Sequence, residues 1–155
     1  MSVAERLARA SDRVYDRMRS PQAKHVAEGA PTGNLADLRG HKYCVLVTYK
    51  KSGAAVPSPL WFGTGNDKVY FQTGATSAKV KRINRNPQVR VAPATSRGRP
   101  LAAPFVGTAR VVSSEGADEA EHWLQANYGL GRRLYSRLGE RVAYVYVEVT
   151  PTPPG

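Results

Sequence analysis

Apolar and polar positions change period several times along this chain, and each change marks an element. Val3, Leu7, Val14 and Met18 recur near helical spacing, which predicts an amphipathic helix over 2–19 that Pro21 ends. Residues 21–34 read as a connector, and Leu35 to Arg39 as one helical turn. The run KYCVLVTYK (42–50) is β-branched and aromatic, with an apolar stretch too short for a typical helix, so it predicts a buried strand. Lys51-Ser52-Gly53 then turns the chain into a hairpin partner over 55–62. Pro57 and Pro59 each remove a backbone donor there and exclude an ordinary central position, pointing to an edge or a bulge. Gly65-Asn66-Asp67 turns the chain again, into a third strand at 69–72.

The loop Thr73 to Thr76 leads to a helix over 77–85, whose apolar positions are Val80 and Ile83 and which Asn86-Pro87 stops. Val89 and Val91 alternate with Gln88 and Arg90, the mark of a half-exposed strand. A basic loop (95–100), a strand (105–112) and a helix (115–128) with Ala117, Ala120, Leu124 and Tyr128 on one side follow. Leu134, Tyr135 and Leu138 suggest further helical turns before a last strand over 142–150 and a Pro-rich tail. Six strands joined partly by short turns predict a mainly β fold, an antiparallel barrel with helices at its ends. The domain division is an N-terminal helix and connector over 1–34, the barrel over 35–150 and a tail over 151–155.

Composition narrows the function classes. The chain has 155 residues, enough for one domain with a sizeable core. No run approaches the roughly 20 apolar residues of a membrane span, and the N-terminus has no secretory apolar segment. The single cysteine, Cys44, excludes an internal disulfide and a multi-cysteine metal site, so a cytoplasmic location is the default expectation. His25, His41 and His122 show no ligand spacing. The net charge is +11, and its distribution matters more: no acid lies between Asp67 and Glu115. That span carries nine cations, Lys68, Lys79, Lys81, Arg82, Arg85, Arg90, Arg97, Arg99 and Arg110. Such a cluster repels itself unless an anion visits, although a solvated basic face is the plainer reading.

The helix at 77–85 is the best anion candidate. A helix N-terminus offers unpaired N–H groups and partial positive charge. Thr73, Ser77, Lys79 and Arg82 would add hydroxyl and cationic donors around it, while the glycine pattern of a P-loop is missing. The strand bearing Ser58, Pro59, Leu60 and Trp61 is the second candidate, because free backbone groups beside a large aromatic suit a flat heterocycle; core packing of Trp61 and Phe62 is the competing reading. No carboxylate pair stands in the basic span, so a bound cofactor is the natural carrier of any chemistry. Nucleic-acid binding is disfavoured, since the aromatics are not interleaved with the cations.

At these residues the chain resembles a known family. VLVTYKKSGAAVPSPLWF, VYFQTGATSAKVKRINRNPQVRVAPATSRGRP and GTARVV, taken in order, are similar to the pyridoxamine 5′-phosphate oxidase-like split β-barrels that bind FMN or the deazaflavin coenzyme F420, and most similar to the F420-dependent oxidoreductases. The resemblance covers roughly residues 38–149. It implies a six-stranded antiparallel split barrel, the FMN-binding split barrel, and a homodimer with cofactor between subunits. It also implies a phosphate grip at Thr73, Ser77, Lys79 and Arg82, and a ring-binding strand at Ser58, Pro59, Leu60 and Trp61. Lys81, Arg85, Arg97 and Arg99 are candidates to meet the oligoglutamate tail of F420. The implied activity is hydride transfer from the reduced deazaflavin to an electron-poor double bond of a small organic substrate. An FMN-dependent oxidase or reductase, or a non-catalytic F420- or heme-binding protein, is the alternative.

Overall fold

The computed structural model describes residues 21–128 and 143–153. The helix expected over 2–19 and the helical turns expected at Leu134, Tyr135 and Leu138 lie outside those residues. Strand β1, Tyr43–Tyr49, sets the plan of the rest. Every residue from Cys44 to Thr48 is buried. Successive strand residues point to opposite faces, so β1 is covered on both sides. Cys44 and Leu46 join the main core with Phe71, Val91 and Val147, while Val45 and Val47 join a second cluster with Ala23, Val26 and Ala92. This double burial is why β1 reads as a continuous apolar run rather than an alternation. Each of the valine, leucine and phenylalanine side chains among them contributes roughly 1.5–3 kcal/mol when fully buried.

Six further strands complete one antiparallel sheet: β2 (Ala55–Leu60), β3 (Gly63–Gly65), β4 (Lys68–Gly74), β5 (Gln88–Ala94), β6 (Phe105–Val111) and β7 (Tyr144–Pro151). Their order is β2-β1-β5-β6-β7-β4-β3. The strand expected over 55–62 is β2 with the two residues that follow it, and a further short strand, β3, comes straight after them at the opposite edge of the sheet. β2 pairs with β1, Leu60 opposite Cys44 and Val56 opposite Thr48, whereas β3 pairs with β4, Gly63 opposite Tyr70. The third predicted strand, β4, lies away from the first two in this order, every pairing is antiparallel as expected, and the strand count is seven rather than six. β3 carries no apolar alternation, only Gly-Thr-Gly, so the period-two signal had nothing to register. The edge position inferred from Pro57 and Pro59 is the observed one.

Only Trp61 and Phe62 separate the end of one edge strand from the start of the other. Three Cα–Cα steps reach at most about 11 Å. A flat seven-stranded sheet would hold its edges roughly 28 Å apart, at about 4.8 Å per strand spacing. The sheet is therefore curled until its edges nearly meet, and since β2 and β3 do not pair, the barrel stays split. Inside lie Phe62, Val69, Phe71, Val89, Phe105 and Val149.

Among the described residues three α-helices and two 3-10 turns, one of them the turn expected from Leu35 and observed over Leu35–Leu38, complete the fold. A 3-10 turn over Pro21–Lys24 runs into α1, His25–Glu28, where the sequence suggested only a connector. Its buried Ala23 and Val26 cover the outer face of β1 and β5. Helix α2, Ala78–Arg85, sends Ile83 into the barrel interior. Helix α3, Ser114–Tyr128, lies over β3, β4 and β7. It comes so close that a Cβ at Gly63 would overlap the backbone of Trp123. Among the described residues no helix is long and apolar enough to cross a membrane. Replacing Gly63 with Ala must push α3 off β3, and we expect a loss of roughly 1–3 kcal/mol in urea unfolding. An unchanged midpoint would show that the contact of α3 with β3 is dispensable.

Candidate functional site

Helix α2 forms because Ser77 caps it and Val80 and Ile83 anchor it. The Ser77 backbone is extended, and its Oγ accepts from the Val80 N–H at 3.3 Å, the N-cap arrangement. Ser77 is 5% exposed, and its hydroxyl also lies 3.3 Å from Thr73 Oγ1 at the end of β4. Asn86 ends the helix, its N–H returning to the Arg82 carbonyl. The first turn contains no acid and does contain Lys79. A cation there opposes the helix dipole, which favours anions at this end, whereas Arg82 and Arg85 in the last turn suit it. Lys79 is half-buried and Lys81 exposed.

Thr73 and Ser77 thus meet at the start of α2, and Arg82, further along the helix, reaches β1. Arg82 donates its Nε to Thr48 Oγ1 at 2.6 Å, tying α2 to β1. Thr48 is 1% exposed and shares the inward face of β1 with Cys44 and Leu46. Lys79 lies close enough for its charge to act on Cys44: burial pushes the thiol far up, and Lys79 opposes that shift. Cys44 is packing, inert as a nucleophile. Thr48 was not singled out by the sequence; its signal was a hydroxyl two positions after Leu46, on the buried face of an apolar strand.

The ring-strand candidates spread along β2. Ser58 stands opposite Leu46, two residues and about 7 Å from the Thr48 level. Pro59 is buried against the outer cluster side, opposite Val45, and Leu60 packs against the main core. Trp61 sits at the far end, beyond the Cys44 level, about 14 Å or more from Thr48. One face of its ring stacks on Tyr128, centroids 4.4 Å apart and planes 15° apart, and Tyr43 meets it edge-on at 6.4 Å. The Tyr128 hydroxyl accepts the Phe62 N–H at 2.8 Å, and Asn127 Nδ2 donates to the Phe62 carbonyl at 2.9 Å. Both polar groups of a backbone unit that has left its ladder are thereby satisfied.

The nine cations of the acid-free span are not one anion-binding surface. Lys68 and Arg110 both reach Glu148 Oε1, at 3.2 and 2.9 Å. Arg110 and Glu148 are register partners on β6 and β7, so the missing acid arrives across the sheet. Arg90 Nη1 donates to the Gly29 carbonyl at 2.6 Å and steadies the end of α1. Arg97 and Arg99, with Pro21 and Thr95, line a shallow groove of about 280 Å³. That loop follows Ala94 and folds back so that Gly98 packs against Ala23, Val45 and Pro59, on the outer side of the sheet, whereas Thr48 faces inward. Lys79, Lys81, Arg82 and Arg85 remain on α2 itself. His122 is exposed and lies edge-on to Trp123, and among the described residues no group of three or more metal-ligating side chains occurs.

A family model described as pyridoxamine 5′-phosphate oxidase matches residues 32–150. No curated protein sequence matches the chain significantly. Solved structures share its fold at low identity. The heme storage protein HutZ from Vibrio cholerae is 14% identical with a TM-score of 0.60, over 75% of this chain and 85% of that one. An F420 reductase is 18% identical with a TM-score of 0.53, over 79% and 96%. A FAD-binding protein from Mesorhizobium loti is 13% identical with a TM-score of 0.54, over 74% and 82%. These likenesses establish the fold, on which different cofactors are held.

Glu148 gives the charge arrangement a measurable consequence. Burial alone would raise its pKa, but the hydrogen bonds and charges of Arg110 and Lys68 outweigh burial and hold the carboxyl below the ordinary glutamate value. A depressed folded-state pKa adds stability above the unfolded value, about 4.3, and that stability is lost as pH falls through the folded value. Glu148→Gln removes the titration. The stability difference between wild type and variant should be constant near neutrality and shrink as pH drops below about 4.3, read by urea unfolding across pH. A difference that stays constant through about pH 3 would show that the two cations do not hold the carboxylate charged.

Proposed function

The chain belongs to the pyridoxamine 5′-phosphate oxidase family, and from that membership and the geometry at α2 we propose that it is an oxidoreductase using the phosphorylated deazaflavin coenzyme F420. The observation that carries the reading is Lys79 in the first turn of a capped helix without acids, beside Thr73, Ser77 and Arg82. A cation that opposes the helix dipole is accounted for when an anion shares both. The donor set suits a phosphate: two hydroxyls, an ammonium, a guanidinium and the helix N–H groups. From there the inward face of β2, Ser58 and then Leu60, leads along the barrel wall and offers a bed for a flat ring. When bound, the reduced deazaflavin supplies a hydride, and the acceptor in this reading is a small organic molecule with an electron-poor double bond. The protein's part is to fix cofactor and acceptor and to exclude water.

FMN is the second reading, and a specific observation favours it. Lys68, Arg90 and Arg110 are engaged elsewhere, and Arg97 and Arg99 flank Gly98 on the outer side of the sheet, beside Val45 and Pro59. Lys81 and Arg85 are then the exposed cations of α2 placed to meet an oligoglutamate tail, and Arg85 already donates to the Tyr49 carbonyl at 3.4 Å. FMN has no such tail. Calorimetry with both ligands separates the two readings: tighter binding of F420 at physiological salt supports the first, and equal or tighter binding of FMN the second. The edge strand β2 and a single helix leave a ring open on one side, so we expect a second copy of the chain to close the site. A monomer in sedimentation that still binds cofactor tightly would exclude the homodimer.

Two lysines on α2 test the phosphate grip. Lys79→Ala removes a charge-assisted hydrogen bond worth roughly 1.5–3 kcal/mol, hence about ten- to hundredfold in affinity. Lys81 stands about 200° around the helix, and Lys81→Ala should cost less, with a loss that fades as salt is added. Equal small losses that both vanish at high salt would reduce α2 to a diffuse basic surface.

A further inference from the structure

Thr48 is a polar side chain where its strand is otherwise apolar. It is 1% exposed, on the last turn of the pleat that buries Cys44 and Leu46. A buried hydroxyl is costly unless bonded. Its Oγ1 accepts from Arg82 Nε at 2.6 Å, so the bond runs from the barrel wall to α2. Arg82 is half-buried, one turn after Lys79 on the same helix. An arginine side chain has many rotamers, and binding through a swinging guanidinium carries the entropy cost of stilling it. A guanidinium held through Nε has its plane fixed, and with it the edge formed by its two terminal nitrogens. Planar, two-point recognition of a phosphate needs that edge aimed in advance.

We propose that Thr48 is a positioning residue for the anion site: it orients the Arg82 guanidinium before the phosphate arrives, so that the cost of ordering Arg82 is met in folding rather than in binding. The proposal rests on the reading of α2 as a phosphate grip. It also gives β1 a part in affinity, although no side chain of β1 was among the expected site residues. Thr48 acts through Arg82 alone, so its effect on ligand binding exists only while Arg82 is present.

The experiment compares wild type, Thr48→Val, Thr48→Ser, Arg82→Ala and the double variant Thr48→Val/Arg82→Ala as full chains. Calorimetry with FMN and with F420 reads affinity, and urea unfolding reads stability. Arg82→Ala should weaken the better ligand, Thr48→Val should weaken it about tenfold, and Thr48→Ser, which keeps the acceptor, should stay within about threefold of wild type. In the Arg82→Ala background, Thr48→Val should cost no further affinity. Should Thr48→Val fail to fold, Thr48→Ala, which also lacks the acceptor, takes its place. If Arg82→Ala weakens binding and Thr48→Val does not, the positioning role is overturned while the phosphate reading stands. If neither affects either ligand, both fall together. An equal loss from Thr48→Val with and without Arg82 also overturns the proposal, since the effect would then run through the fold.

Discussion

Two residues, Trp61 and Phe62, carry the chain from one edge of the sheet to the other, and the rest of the architecture answers to that short link. A tether of about 11 Å forces the sheet to curl and gives it an inside. The link leaves both ladders, so its backbone would be costly to bury without partners. Helix α3 supplies them at its last two residues, Tyr128 to the Phe62 N–H and Asn127 to the Phe62 carbonyl. Tyr128 also stacks on Trp61. The glycines of β3 let the same helix settle against the edge beyond the link. Closure, helix docking and the placement of Trp61 are thus parts of one arrangement, and the packing role of Trp61 is accounted for without a ligand.

The other end of β1 is organised differently. There α2 sends Ile83 into the barrel and holds its polar groups at the rim. Two hydrogen-bonded pairs tie the helix down: Thr73 with Ser77 at its start, and Arg82 with Thr48 on β1. Lys79 stands in the first turn of this helix, where its charge opposes the helix dipole. The basic patch itself largely dissolves in three dimensions, with Lys68 and Arg110 on Glu148 and Arg90 on the carbonyl of Gly29.

The elements whose burial leaves a periodic trace were legible in the sequence. The apolar run of β1, the prolines of an edge strand, and Ser77, Val80, Ile83 and Asn86-Pro87 of α2 are local signals, and local sterics and hydrogen bonding set them. The ordered motifs also indicated the family. Tertiary structure alone decided the rest. Gly63–Gly65 is a strand only because β4 pairs with it, and residues 55–65 divide between two edges only because the sheet closes. Thr48 meets Arg82, and Glu148 meets Arg110 and Lys68, across 34, 38 and 80 positions of chain. Charge and hydrogen bonding act through space, so a count of cations along the chain gives their number and not their partners. The sequence by itself determined which segments could be strands and helices and that α2 was basic; which of its cations face the barrel wall, as Arg82 does at Thr48, was decided by the closure of the barrel.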